Sequence, residues 1–105
     1  MKKNSFIKDK YRNSRGGYSH VLELNCGNCK KRIAYYQKDG PGPLKRLYID
    51  RIITPKPKIV RQHFRCQHCN EWLGMKYIYA KEQRPALKLF AGAIVKKRSS
   101  LKKIK

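Results

Sequence analysis

Short runs rich in Val, Ile, Leu, Tyr and Phe recur along the chain, each bounded by turn-forming residues. HVLELN (20–25) carries apolar side chains at strand-like spacing, and IAYYQ (33–37) is a compact block of strand formers. KDGPGP (38–43) is a loop by its Gly and Pro content, after which LYIDRII (47–53) resumes the pattern and TPKPK (54–58) breaks it again. IVRQHFR (59–65) and WLGMKYIYA (72–80) follow, KEQRP turns the chain, and LKLFAGAIV (87–95) closes the series. Ala and Leu would allow a short helix in that last run, but Gly92 and the β-branched end favour a strand. The pattern predicts an all-β domain over residues 20–95.

Between these runs stand two cysteine pairs, CGNC at Cys26 and Cys29 and CQHC at Cys66 and Cys69. A CxxC turn points two sulfurs at one centre, and two such turns complete the tetrahedral four-ligand set that zinc takes from thiolates. The pairs are separated by 36 residues. That length fits a strand–loop–strand excursion, since loop-closure entropy grows only logarithmically. The expected cofactor is one structural Zn²⁺ held by Cys26, Cys29, Cys66 and Cys69. Iron would use the same ligands. A thioredoxin-like redox pair needs one CxxC near a βαβ pattern, and no such pattern occurs here. His68, inside the second pair, is an alternative ligand only if one cysteine is not used. Structural zinc is worth about 10–16 kcal/mol in zinc-finger peptides. Whole domains are stable by only about 5–15 kcal/mol, so the metal is expected to decide whether this chain folds.

The two halves echo each other. The cysteine pairs match at an offset of 40, and PLKRLYIDRII from Pro43 aligns with PALKLFAGAIV from Pro85 at an offset of 42. That pairs Leu47 with Leu89, Tyr48 with Phe90, and Ile52–Ile53 with Ile94–Val95. Either a duplication or the common geometry of cysteine-bearing hairpins predicts two pseudo-symmetric halves facing one metal.

Charge changes the picture from a fold to a partner. The 105 residues hold 27 Lys and Arg against 6 acids, a net charge of +21 and a pI near 10.3. Self-repulsion of that size opposes folding unless a polyanion offsets it. No basic amphipathic helix with a clear apolar face can be drawn, so nucleic acid is a better partner than a membrane surface. The longest apolar run, LFAGAIV, has seven residues, and a helix needs about 20 to span a bilayer. The N-terminus lacks the apolar stretch of a secretory signal, so the expected location is the cytoplasm, where disulfides are rare.

Residues 1–19 read as a basic N-terminal extension and 96–105 as a basic C-terminal tail, both disordered on their own. Candidate phosphate contacts are Lys2, Lys3, Lys8, Lys10, Arg12 and Arg15 in the first and Lys96, Lys97, Arg98, Lys102 and Lys103 in the second. In the body they are Lys30, Lys31 and Arg32 beside the first cysteine pair, and Lys45 and Arg46 after the Gly/Pro loop. The same three cations beside Cys29 also favour its thiolate. Asp39, Asp50, Glu23, Glu71 and Glu82 are scattered singly and are expected to form surface ion pairs. No GxSxG, Walker loop or HExxH occurs, and no second set of metal ligands can be assembled, so an enzyme is not expected. Tyr77 and Tyr79 should share one sheet face and Tyr35 and Tyr36 diverge. Rings left on a basic face could stack on unpaired bases.

CGNC…CQHC on strand-rich hairpins, with basic ends, resembles a zinc ribbon of rubredoxin-like type. Among such domains the chain is most similar in size and charge to the small zinc-ribbon proteins of ribosomes. Lys30 and Asn70 stand where many ribbons carry glycine after the second cysteine. The resemblance implies a non-catalytic, zinc-held β-fold that docks on rRNA phosphates beside neighbouring ribosomal proteins. A DNA-binding or transcription-associated ribbon is the first alternative, and a metal-dependent nucleic-acid enzyme the second.

Overall fold

A computed structural model describes residues 19–40, 44 and 46–100. The expected extension up to residue 18, Lys45, and the end of the tail from residue 101 lie outside the described residues, and with them Lys2, Lys3, Lys8, Lys10, Arg12, Arg15, Lys102 and Lys103.

β1 (Ser19–Cys26) follows the pleat. Leu22, Leu24 and Cys26 enter the main core, while Val21 joins a small second cluster with Tyr35 and Ile53 on the other face. β2 (Arg32–Asp39) pairs antiparallel with β1 from Ser19 opposite Asp39 to Asn25 opposite Arg32, with a bulge between Leu24 and Asn25. β3 (Arg46–Tyr48), a 3-10 turn (Ile49–Arg51) and β4 (Ile52–Thr54) complete the first half. β5 (Lys58–Val60) and β6 (His63–Arg65) form a hairpin, followed by β7 (Trp72–Tyr79), β8 (Arg84–Leu89) and β9 (Ile94–Ser99).

All pairings are antiparallel, and two sheets result, with strand orders β4-β2-β1-β9 and β3-β8-β7-β6-β5. Among the described residues there is no α-helix. The all-β expectation holds. Leu22, Leu24, Ile33 and Tyr36 of the first sheet share one core with Leu47, Phe64, Leu73 and Leu87 of the second, and both Cys26 and Cys66 belong to it. Each fully buried large side chain contributes about 1.5–3 kcal/mol. The core therefore ends on sulfur at both cysteine turns.

Three runs divide further than their patterning suggested. The 47–53 run is interrupted by the 3-10 turn, and the 59–65 run is a hairpin whose two turn residues, Arg61 and Gln62, have φ of 50° and 72°. Two consecutive positive φ values are the mark of a type I′ turn, which usually carries Asn or Gly. The 87–95 run breaks at a turn around Gly92 (φ 74°). The tail expectation also needs correction: Lys96, Lys97 and Arg98 stand in β9, paired with β1 from Val21 opposite Ser99 to Cys26 opposite Ile94. Backbone hydrogen bonds to β1 order this segment despite its charge.

The halves are symmetric only around the cysteines. The β1–β2 and β6–β7 hairpins carry bulges at equivalent places, Leu24/Asn25 and Phe64/Arg65, again 40 residues apart. Beyond them the correspondence fails. β4 pairs with β2 of its own half, whereas β9, its counterpart in the 42-residue alignment, crosses to β1 of the other half.

Candidate metal centre

The two CxxC turns have the same backbone. Cys26 N–H donates to the Lys31 carbonyl and Lys30 N–H to the Cys26 carbonyl, both at 2.9 Å; Cys66 and Asn70 repeat this with Glu71 and Cys66, also at 2.9 Å. Within each turn two backbone N–H groups point at the first sulfur. Asn28 and Cys29 reach Cys26 Sγ at 3.3 and 3.4 Å, and His68 and Cys69 reach Cys66 Sγ at 3.3 and 3.4 Å. Each turn then exits through a left-handed residue, Lys30 (φ 68°) or Asn70 (φ 65°). These are the two positions at which many ribbons carry glycine. The left-handed conformation costs an L-residue roughly 1–2 kcal/mol. Asn tolerates it better than Lys does.

The turns bring all four sulfurs together, within 4.8 Å of one another. Cys26 Sγ lies 3.7 Å from Cys69 Sγ, and Cys29 Sγ lies 3.7 Å from Cys66 Sγ. No pair is bonded as a disulfide. A tetrahedron with metal–thiolate bonds of ~2.3 Å has edges of about 3.8 Å. The cluster therefore fits a four-coordinate metal ion. His68 is no part of it: its Nε2 lies 3.0 Å from the Arg32 carbonyl, tying the second turn to β2. Gln67 does the same, donating to the Ile33 carbonyl at 2.9 Å.

The thiols differ sharply. A hydrogen bond from the Asn28 side chain, helped by the Glu71 N–H, lowers Cys69 to about 6. For Cys29 the Lys31 N–H favours the thiolate, but desolvation and the neighbouring sulfurs outweigh it and push the thiol up to about 11. The contacts among the sulfurs thus favour the thiolate at Cys69 and the thiol at Cys29. A divalent ion held by Cys26, Cys29, Cys66 and Cys69 would favour the thiolate form of its ligands. Asn28 was not among the residues singled out from sequence; its position inside CGNC was the available signal.

Around the centre, Lys30, Lys31 and Arg32 are exposed. Arg32 also donates to the Tyr35 hydroxyl at 3.2 Å, with its guanidinium 4.8 Å from that ring's centre. Lys96, Lys97 and Arg98 are exposed along β9, an edge strand, where Lys97 lies 3.9 Å from Glu23. Arg46 is placed differently. It is half-buried, donates to the Tyr77 hydroxyl at 3.0 Å and lies 4.1 Å from the centre of the Tyr79 ring. Tyr77 and Tyr79 thus do share a side, and Arg46 is engaged by both rather than held out to solvent.

The acids were expected in surface ion pairs; Asp39 and Glu82 are instead drawn in against buried arginines, while Asp50 stays exposed and pairs with Arg84 from the surface. Arg51, 1% exposed, donates to Asp39 at 2.8 Å. Arg84, also buried, reaches Asp50 at 2.7 Å and Glu82 at 2.9 Å and lies 3.7 Å over the centre of the Tyr48 ring. Arg51 and Asp50, at 3.7 Å, join the two sets. A buried arginine needs such partners, because an unpaired buried charge costs several kcal/mol. With those carboxylates committed to Arg51 and Arg84, few remain among the described residues to neutralise the outward lysines and arginines.

Comparison with protein-family models, curated proteins and solved structures gives no match to this chain.

Proposed function

We propose that Cys26, Cys29, Cys66 and Cys69 hold one structural Zn²⁺ ion, and that the domain is a rubredoxin-like zinc ribbon acting as a non-catalytic RNA-binding protein of the ribosomal kind. Four thiolates around one ion leave no open coordination position, which suits a structural role and not a catalytic one. Zinc is favoured over iron because nothing in the site calls for electron transfer. The reading also places the protein in the cytoplasm, where its thiols stay reduced.

The observation that carries the RNA reading is the sorting of charge. Asp39, Asp50 and Glu82 are taken up by the buried Arg51 and Arg84, while Lys30, Lys31, Arg32, Lys96, Lys97 and Arg98 are exposed. Such a surface matches a phosphate backbone, with rRNA and its proteins as the partners. One bound zinc per chain is expected by elemental analysis, without the visible absorption of an iron–thiolate centre. Affinity for an rRNA fragment should fall with salt at a log–log slope of about −0.7 to −0.9 per phosphate neutralised. The protein should also stay with ribosomal subunits through a high-salt wash. A flat salt response would overturn phosphate docking, and recovery with duplex DNA instead of subunits would transfer the reading to a DNA-binding ribbon.

A further inference from the structure

The outer face of the β5–β6–β7 sheet is apolar, cationic and open at once. Ile59 and Phe64 turn inward to the core, so Lys58, Val60, His63 and Arg65 share the opposite side. Arg65 lies between Lys58 on β5 and Trp72 on β7. Trp72 and Phe90 are 42% and 41% exposed, large areas for such side chains in a domain with a small core. Both line an open groove beside the first cysteine turn, together with Gly27, Asn28, Glu71 and Ala93.

Trp72 is held in one orientation. Its indole N–H donates to the Gly74 carbonyl at 3.0 Å, the His63 ring packs 4.5 Å from it at 34°, and Phe90 meets it edge-on at 5.1 Å and 83°. The indole therefore keeps an exposed surface while its polar atom is already satisfied. Such a ring loses little freedom when something stacks on it. Cations stand at its rim: Arg65 lies 5.9 Å from the Trp72 ring centre, and both Arg65 and Lys58 are drawn to Asn70 at 3.1 and 2.9 Å. Within the groove the titratable group is an acid, Glu71. A phosphate is thus attracted to the rim and repelled from the groove, whereas a flat neutral base is suited to the groove itself. Carboxylates accept hydrogen bonds from exocyclic amines, as from cytosine N4.

We propose that Trp72 and Phe90 form a stacking site for an unpaired base of single-stranded RNA, with Lys58 and Arg65 receiving the adjoining phosphate and Glu71 favouring bases that carry an exocyclic amine. This rests on the RNA-binding reading and adds to it a strand class and a location.

Trp72 is the only tryptophan in the sequence, so its fluorescence reports on this site alone. The full-length, metal-loaded protein is titrated with short oligo(C), oligo(A) and oligo(U) RNA, with DNA single strands of the same sequences, and with an RNA duplex of equal phosphate number. Stacking predicts quenching by single strands and none by the duplex, with oligo(C) and oligo(A) ahead of oligo(U). Trp72→Leu should weaken single-strand binding about 5- to 100-fold and leave duplex binding unchanged. Phe90→Ala should give a smaller loss with the reporter retained, which separates loss of stacking from loss of fold. If DNA single strands quench equally, the site reads bases without regard to the sugar, and the stacking site stands. Single-strand binding without quenching, or equal loss of duplex affinity in Trp72→Leu, overturns the stacking site and leaves phosphate docking intact. Binding of neither form overturns both.

Discussion

The two cysteine turns share a backbone but not a setting. The first is packed against the far end of the chain: Gly27 donates its N–H to the Ala93 carbonyl at 2.7 Å, and a Cβ at Gly27 would run into the Gly92 carbonyl. The second, at the same positions 40 residues on, has Gln67 and His68 exposed, each reaching back through its side chain to the backbone of β2. Identical hydrogen-bonded turns can therefore do different work. The first is the seat on which the 90–93 turn closes the fold, and the second reaches across to the other sheet.

The largest effects should follow ligand position within a turn rather than which turn is altered. Cys26 and Cys66 are fully buried in the core and each receives two backbone N–H groups, while Cys69 is exposed. Cys26→Ser and Cys66→Ser should each abolish the cooperative thermal transition seen by circular dichroism, as should a strong chelator. Cys69→Ser should retain a weakened metal and a lowered transition. Equal collapse of all three variants would erase the distinction between inner and outer sulfurs.

The second contrast is between Gly27 and its counterpart Gln67. Gly27→Ala forces a methyl against backbone carbonyls and should cost about 1–3 kcal/mol or more in denaturant unfolding. Gln67→Ala loses one hydrogen bond and should cost about 1 kcal/mol. Reversal of that order would mean that the 90–93 turn is not seated on the first knuckle.

The smallest effect concerns the left-handed exits. Lys30→Gly relieves a strained conformation and should stabilise the protein by about 1 kcal/mol. Asn70→Gly should be close to neutral, because Asn tolerates the conformation and its side chain also accepts from Lys58 at 2.9 Å. Chemical denaturation of the two variants side by side measures the difference.

The four-cysteine cluster was legible because spacing alone carries it: each CxxC turn points two sulfurs at one centre. Strand content was legible for the same local reason. What sequence hid is what depends on distant partners. Arg61 and Gln62 turn a hairpin without the Asn or Gly that announces one, so β5 and β6 read as a single strand. Residues 96–99 look like a soluble tail because a strand made of cations becomes ordered only when β1 offers it a ladder. Asp39, Asp50, Arg51 and Arg84 meet across both halves, and nothing in their spacing marks them as a set.

The return of β9 to β1 has a consequence for the order of assembly. β1 can zip to β2 as soon as both have been synthesised, and the four sulfurs are complete once Cys69 has emerged. The outer edge of β1, however, waits for the strand made last among those described. Until then it presents unpaired amides and carbonyls, the template on which stray strands add. Pairings between such distant parts of a chain form slowly. A nascent chain interrupted before Ile94 would thus carry an assembled cluster of four cysteines and an open, adhesive flank.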